Sequence, residues 1–246
     1  MKLVLAEPRL LKESVSIISE LVNEVTFNID KDKIEIVAMD PANVAMILFK
    51  LLSSAFVEYE VKENKQIAVN LENLNQVLKR SKPSDTVMLE LADNKLKITL
   101  RGESTRTFKL SLIDIDESEQ KVPELKFTTK VEMPSTVFTE AVEDMDVVAE
   151  SVSMMAEQNK FTVRSEGRFN AAKVEVLTDQ GISIVMDEDK VDSKYSIEYL
   201  KKIMKGSKLT DTVVLNFGKE YPLKVDYKLM DKLMLSFILA PRVDND

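Results

Sequence analysis

The chain carries one stretch twice, and this repeat restricts its fold more than any other feature. Residues 70–91 read NLENLNQVLKRSKPSDTVMLEL and residues 196–217 read SIEYLKKIMKGSKLTDTVVLNF, 126 positions apart without a gap. They share Glu72/Glu198, Leu74/Leu200, Lys79/Lys205, Ser81/Ser207, Lys82/Lys208, Asp85/Asp211, Thr86/Thr212, Val87/Val213 and Leu89/Leu215. Each copy reads as a short helix, a basic helix end, a turn and a strand. The 246 residues are therefore two similar halves of about 120 residues, each long enough for a core of its own.

The flanking patterns repeat as well. KLVLA (2–6) reads as a strand, and Pro8 suits the first turn of a helix whose apolar side is Leu10, Leu11, Val15, Ile18, Leu21 and Val22. Alternating runs follow at 25–29, 33–39, 44–51, 58–61 and 66–70, with Asp30–Asp32 as a hairpin turn. A helix over 71–80 and three strands complete the half. KFTTKVEM (126–133) restarts the order, Pro134 opens a helix over 135–146, and SVSMMAE and KFTVRSEG form a hairpin over Gln158-Asn159. A helix over 197–205 and three strands end the second half. Each half then has eight or nine strands and two helices. Turns of two to four residues imply antiparallel pairing, which makes the class α+β, with helices packed on one side of sheets. Residues 114–125, acidic and non-periodic around Val122-Pro123, read as a connector between a domain at 1–113 and a domain at 126–246, and the tail 241–246 reads as a fraying end.

The chain has no cysteine and no histidine. Disulfides, thiol nucleophiles and the commonest general base and metal ligand are thereby excluded, which weakens the case for an enzyme. No apolar run is long enough to span a membrane as a helix, and the N-terminus lacks a signal-peptide core. Acidic pairs such as Asp114/Asp116 and Asp187/Asp189 read as solvated loop charges. The sequence contains no helix-turn-helix, zinc-finger, phosphate-loop or aromatic stacking motif.

The net charge of −8 taken alone argues against nucleic acid, but its distribution does not. Acids gather at 114–124, 140–146, 187–192 and the C-terminal DND, whereas bases gather on the repeated helices. On helix 71–80, Leu71, Leu74, Val77 and Leu78 form the buried stripe, with Asn75, Gln76, Lys79 and Lys82 turned the other way. On helix 197–205, Ile197, Leu200, Ile203 and Met204 are the buried set, with Lys201, Lys202, Lys205 and Lys208 outside. Arg9 and Lys12 stand similarly on the first helix. Lysines at helix C-termini also complement the helix dipole, by about 0.3–1 kcal/mol each. That reading predicts no recurrence between halves, yet Lys79/Lys205 and Lys82/Lys208 recur. Helix 135–146 breaks the pattern with Glu140, Glu143, Asp144 and Asp146, so a surface made of all four helices is basic in patches and holds DNA weakly.

DPANVAMI after a strand, LKRSKPSDTVML, STRTFKLSLIDID (104–116), the PEL connector and the final LAPRV resemble the sliding clamps of the proliferating cell nuclear antigen family, in a form similar to the archaeal one. The resemblance runs the length of the chain. It implies a DNA clamp fold that forms rings of three, with helices lining a hole for duplex DNA, no enzymatic activity, no cofactor and no metal. It implies a cytoplasmic, nucleoid-associated protein of DNA replication and repair. The partners it implies are a clamp loader, DNA polymerase, flap endonuclease and DNA ligase, the enzymes binding through short glutamine and aromatic motifs. The DNA-facing bases it implies are Arg9, Lys12, Lys79, Arg80, Lys82, Lys201, Lys202, Lys205 and Lys208. The partner pocket is implied at Met39, Asn43, Val44, Met46, Val122, Pro123, Pro222, Ile238, Ala240 and Pro241. Subunits are implied to join by edge strands, Thr107, Phe108, Lys109 and Leu110 of one chain against Lys173, Val174, Glu175 and Val176 of the next.

Three positions depart from the family. Ala42-Asn43 stands where Ser followed by Arg or His is usual, Ile238 where an aromatic is frequent, and helix 135–146 is acidic where many members are basic. A diverged subunit acting only in a heterotrimeric or damage-signalling ring is the alternative within the family. A carboxylate–metal enzyme is the alternative outside it.

Overall fold

In the computed structural model the described residues are 1–114 and 120–242. Among them each half contains nine strands and two α-helices. The first half runs β1 (Lys2–Leu5), α1 (Arg9–Ile18), β2 (Glu24–Ile29), β3 (Lys33–Met39), β4 (Ala45–Leu52), β5 (Glu58–Glu60), β6 (Lys65–Asn70), α2 (Leu71–Lys79), β7 (Thr86–Ala92), β8 (Lys95–Arg101) and β9 (Thr105–Ser111). The second runs β10 (Thr129–Pro134), α3 (Ser135–Asp146), β11 (Ser151–Glu157), β12 (Lys160–Glu166), β13 (Ala171–Leu177), β14 (Ser183–Met186), β15 (Lys190–Ser196), α4 (Ile197–Ile203), β16 (Thr212–Phe217), β17 (Leu223–Leu229) and β18 (Leu233–Leu239).

The strand orders repeat with the sequence. The first half has the run β5-β1-β7-β8-β9 and the run β6-β2-β3-β4; the second has β14-β10-β16-β17-β18 and β15-β11-β12-β13. β1 pairs antiparallel with β5 and β7, β8 with β7 and β9, and β12 with β11 and β13, as the short turns require. Asp93 and Asn94, both at positive φ (52° and 56°), make the two-residue turn between β7 and β8. At the Asp30 turn the carboxylate oxygen Oδ1 accepts from the N–H groups of Asp32 and Lys33, at 2.7 and 2.9 Å.

Two compact units result. One comprises Met1–Pro41, Ile47–Val122 and Leu229–Leu235; the other comprises Ala42–Met46, Pro123–Lys228 and Ser236–Asp246. In the first unit Leu11 of α1, Leu74 of α2, and Leu3, Phe27, Ile34, Ile67, Leu89 and Leu96 from six strands surround one apolar interior space. Their removal from water is the main stabilising term of this unit. In the second, Phe138 and Val142 of α3, Leu200 of α4, and Phe161, Val213 and Leu215 are buried alike.

Three sequence expectations are corrected. Asn75 does not face outward: it is buried, and its Nδ2 donates to Ser19 Oγ at 3.0 Å, so the pair ties α2 to the end of α1. The strand expected at 126–133 starts at Thr129. Before it, the Phe127 ring meets the Tyr221 ring edge-on at 5.9 Å and the Lys126 N–H donates to the Tyr221 hydroxyl, so side-chain contacts take the place of a ladder. The helix expected at 197–205 stops at Ile203 and tightens to a 3₁₀ turn over Met204–Lys208. At Gly206 an added Cβ would lie 2.2 Å from Cε2 of the buried Tyr227 ring, so the tightened turn is pressed onto that ring. Of the connector and the tail, Ile115–Glu119 and Val243–Asp246 lie outside the described residues.

Candidate nucleic-acid interface

In the first unit the bases collect where the start of α1 meets the end of α2. Asn70 caps α2, its side chain accepting from the Asn73 N–H at 3.0 Å, and Glu72 and Lys79 stand at the ends that suit the helix dipole. Lys12 reaches across from α1 and donates to the Ser81 carbonyl at 3.2 Å. Arg9, exposed, stands one turn earlier on α1. Lys79 and Arg80 are exposed and make no ion pair among the described residues. Lys82 pairs with Glu103 at 2.7 Å, both side chains in solvent.

The loop after α2 is braced from beneath. Asp85 is 1% exposed. One of its oxygens, Oδ2, accepts from the Lys82 N–H at 2.8 Å and is ion-paired with Arg106. Arg106 also donates to the Arg80 carbonyl at 2.8 Å. At Gly102 an added Cβ would sit 2.1 Å from Asp85 Oδ1, so a side chain here would displace the buried carboxylate. Arg106 thus fixes the backbone that carries Arg80 and Lys82, a task not anticipated from the sequence. The available signal was the repeat of Asp85 at Asp211 without a partner arginine in the second half.

In the second unit the bases run along α4 and its 3₁₀ extension. Lys201 pairs with Asp146 of α3 at 2.7 Å. Lys202 pairs with Glu198 at 3.1 Å and lies 5.4 Å from the centre of the Tyr199 ring. Tyr199 was not anticipated, although its spacing of three from Lys202 puts both on one helix face. Lys205 is half-buried and Lys208 exposed. On α3, Glu140, Glu143 and Asp144 are exposed, and of the four acids only Asp146 is ion-paired among the described residues. These pairs are solvent-facing and contribute no more than about 1 kcal/mol each, so a phosphate can replace the carboxylate at little cost.

Of the expected pocket residues, Val44 and Ala240 meet directly, the Ala240 N–H donating to the Val44 carbonyl at 2.9 Å. Asn43 is exposed with φ at 57°, a conformation asparagine tolerates better than most residues. Met46 and Ile238 are buried, Pro222 and Pro241 half-buried, Pro123 and Ala240 exposed. Met39, half-buried, and Val122, 48% exposed, belong to the first unit. The expected edge strands are edges: β9 and β13 each end their run with no further strand beside them among the described residues. Both alternate exposed and half-exposed residues along their length.

The described residues hold no cluster of three or more acidic, histidine or cysteine side chains that could ligate a metal, and no helix long and apolar enough to cross a membrane.

Comparison with known proteins gives consistent results. The family model "Proliferating cell nuclear antigen, N-terminal domain" matches residues 1–120, and "Proliferating cell nuclear antigen, C-terminal domain" matches 121–242. The chain is similar to proteins named DNA polymerase sliding clamp: 39% identical to that of Thermococcus fumicolans, 40% to that of Thermococcus gammatolerans and 38% to that of Pyrococcus furiosus, with 92% of each chain covered in every case. The solved crystal structure of PCNA from Thermococcus kodakaraensis superimposes with a TM-score of 0.93 at 28% identity, covering 98% of this chain and 99% of that one.

Proposed function

This chain belongs to the proliferating cell nuclear antigen family, and from that premise we propose that it acts as a DNA polymerase sliding clamp. Three chains close into a ring around duplex DNA. Residues 1–113 and 126–246 are its two clamp domains and 114–125 its connector. A closed ring cannot leave the duplex sideways, so topology supplies retention and the inner contacts need only be weak. Arg9, Lys12, Lys79, Arg80, Lys82, Lys201, Lys202, Lys205 and Lys208 face the phosphates without reading sequence. The chain itself catalyses nothing. It tethers polymerase, flap endonuclease and ligase after a clamp loader has opened and closed it. Their motifs dock at Met39, Asn43, Val44, Met46, Val122, Pro123, Pro222, Ile238, Ala240 and Pro241, the aromatic residues acting as anchors.

The observation that supports the reading best is the basic helix end found in both units. Lysine recurs at Lys79/Lys205 and Lys82/Lys208; duplication alone also preserves a surface lysine, so the substitutions below decide between inheritance and a DNA-facing role. Light scattering on the purified chain tests the ring: the expected result is one species of three times the chain mass. A strict monomer at micromolar concentration, alone and mixed with related clamp chains, refutes it. Replacing Lys79, Lys205 and Lys208 by Ala leaves that mass unchanged and shortens the tracts made by a clamp-dependent polymerase. Unchanged tract length contradicts the DNA-facing role of these lysines.

A further inference from the structure

The turn between β16 and β17 is a duplicated element that differs between the halves. Glu90 faces Lys97 across the first-half turn, and its counterpart Asn216 faces Lys224 across the second, so the second turn is one residue longer. It reads Gly218-Lys219-Glu220-Tyr221-Pro222. Glu220 has φ at 50° and turns the chain back. An added Cβ at Gly218 would lie 3.3 Å from Tyr221 Cβ, so the turn closes tightly against Tyr221. Pro222 restricts the residue before it to extended backbone, which further limits how Tyr221 can stand. The hydroxyl of the buried Tyr195, on β15, donates to the Tyr221 carbonyl at 2.8 Å and holds the turn from the core side.

Tyr221 is only half-buried, and its side chain meets the stretch before β10. Its hydroxyl accepts from the Lys126 N–H at 3.3 Å, and its ring meets that of Phe127 edge-on at 5.9 Å. One residue on, the Thr128 carbonyl accepts from the Asp187 N–H at 2.9 Å, and β10 then begins. Toward the N-terminus Pro123 and Glu124 are exposed. The Tyr221 contacts therefore stand where the connector's end joins the body of the second unit, and all these residues belong to that unit. Resting on the docking reading above, we infer that Tyr221 is a positioning residue for partner binding. Its ring and hydroxyl hold the end of the connector just after Pro123, and its backbone, fixed by Tyr195, carries Pro222. A connector end left loose has to be ordered when the aromatic anchors of a partner dock, and that ordering lowers affinity. Tyr221 orders it beforehand.

Two substitutions divide these contacts. Tyr221→Phe keeps the ring and removes the hydroxyl, whereas Tyr221→Ala removes both. The probe is a fluorescent synthetic peptide with one glutamine, one aliphatic residue and paired aromatic residues, its binding read by polarisation. The expected result is a dissociation constant raised about tenfold in Tyr221→Ala and about twofold in Tyr221→Phe, at an unchanged urea midpoint. Amide deuterium exchange at Lys126, read by NMR, is expected to quicken in both. A merely structural tyrosine would lower the urea midpoint and leave the peptide affinity of the folded protein as it was. Should Tyr221→Ala fail to fold, Tyr221→Phe carries both readouts. Equal peptide affinity in the variants and the unsubstituted chain overturns the positioning role and leaves the docking reading. No peptide binding by the unsubstituted chain overturns the docking reading and the role together. Unchanged Lys126 exchange in Tyr221→Phe overturns the hydroxyl's hold on the connector whatever the peptide does.

Discussion

β18 and β9 hold equivalent places in the two halves, yet Ser236-Phe237-Ile238-Leu239 is buried throughout while Thr107 and Lys109 face solvent. β4 and β13 differ in the same way, with Met46 and Leu48 buried and Lys173 and Glu175 exposed. One duplicated element has been finished as a covered strand in one half and as an edge in the other. A covered strand takes apolar side chains on both faces. An edge keeps its apolar residues on one face and carries charge on the other, which guards it against indiscriminate pairing. The helix ends differ as well: Asp85 is buried against Arg106, whereas its counterpart Asp211 is exposed; Arg80 is exposed, whereas its counterpart Gly206 is pressed onto Tyr227.

Exchanging residues between the halves tests whether these differences are what distinguish them. The largest effect is expected from giving β4 the glutamate of β13. Leu48→Glu buries a charge without a partner and lowers stability by about 3–5 kcal/mol, read by urea unfolding. The reverse exchange, Glu175→Leu, shifts it by no more than about 0.5 kcal/mol, as surface changes do. Equal losses would erase the distinction between covered and edge strand. Next comes the loop after each repeated helix. Asp85→Ala strands Arg106 and removes the acceptor of the Lys82 N–H, at a cost of about 3 kcal/mol, while Asp211→Ala changes thermal stability by less than about 0.5 kcal/mol. Gly206→Ala drives a methyl into the Tyr227 ring and costs about 1–3 kcal/mol by the same measurement, whereas Arg80→Ala leaves stability nearly unchanged and weakens DNA binding. The smallest effect concerns pH. Hydrogen bonds from Lys173 and then Lys160 hold the Glu175 carboxyl below its usual value of 4.5. A carboxylate with a lowered folded pKa contributes stability that is present above the unfolded value and lost as pH falls through the folded one. Acid unfolding below about pH 4.5 therefore loses a small component in Glu175→Gln; identical acid limbs in both proteins would contradict the ladder around Glu175.

The duplication, the element order and the basic helix ends were legible because each leaves a periodic or repeated trace. The apolar stripe Leu71, Leu74, Val77 and Leu78 and the alternation of Thr107-Phe108-Lys109-Leu110 both appear in the folded chain as read. Asn75 was misread because polarity places an asparagine outside by default, and only the neighbouring helix supplies the Ser19 hydroxyl that lets it stay inside. The early end of α4 was hidden because it depends on Tyr227, a residue distant in sequence, lying under Gly206. The bracing of the α2 loop by Arg106 was hidden for the same reason, since Asp85 and Arg106 meet only through the pairing of β7, β8 and β9. Periodicity reports which face is buried. It does not report which distant side chain completes a site.

On the function proposed above, retention on DNA is topological, with weak contacts around a closed ring. The most direct measurement loads the protein onto nicked circular duplex with a clamp loader and ATP, isolates the complex by gel filtration, and cuts the circle once. The expected result is stable co-elution with the circle and loss of the protein after the single cut. Equal retention on circular and linear DNA would contradict it.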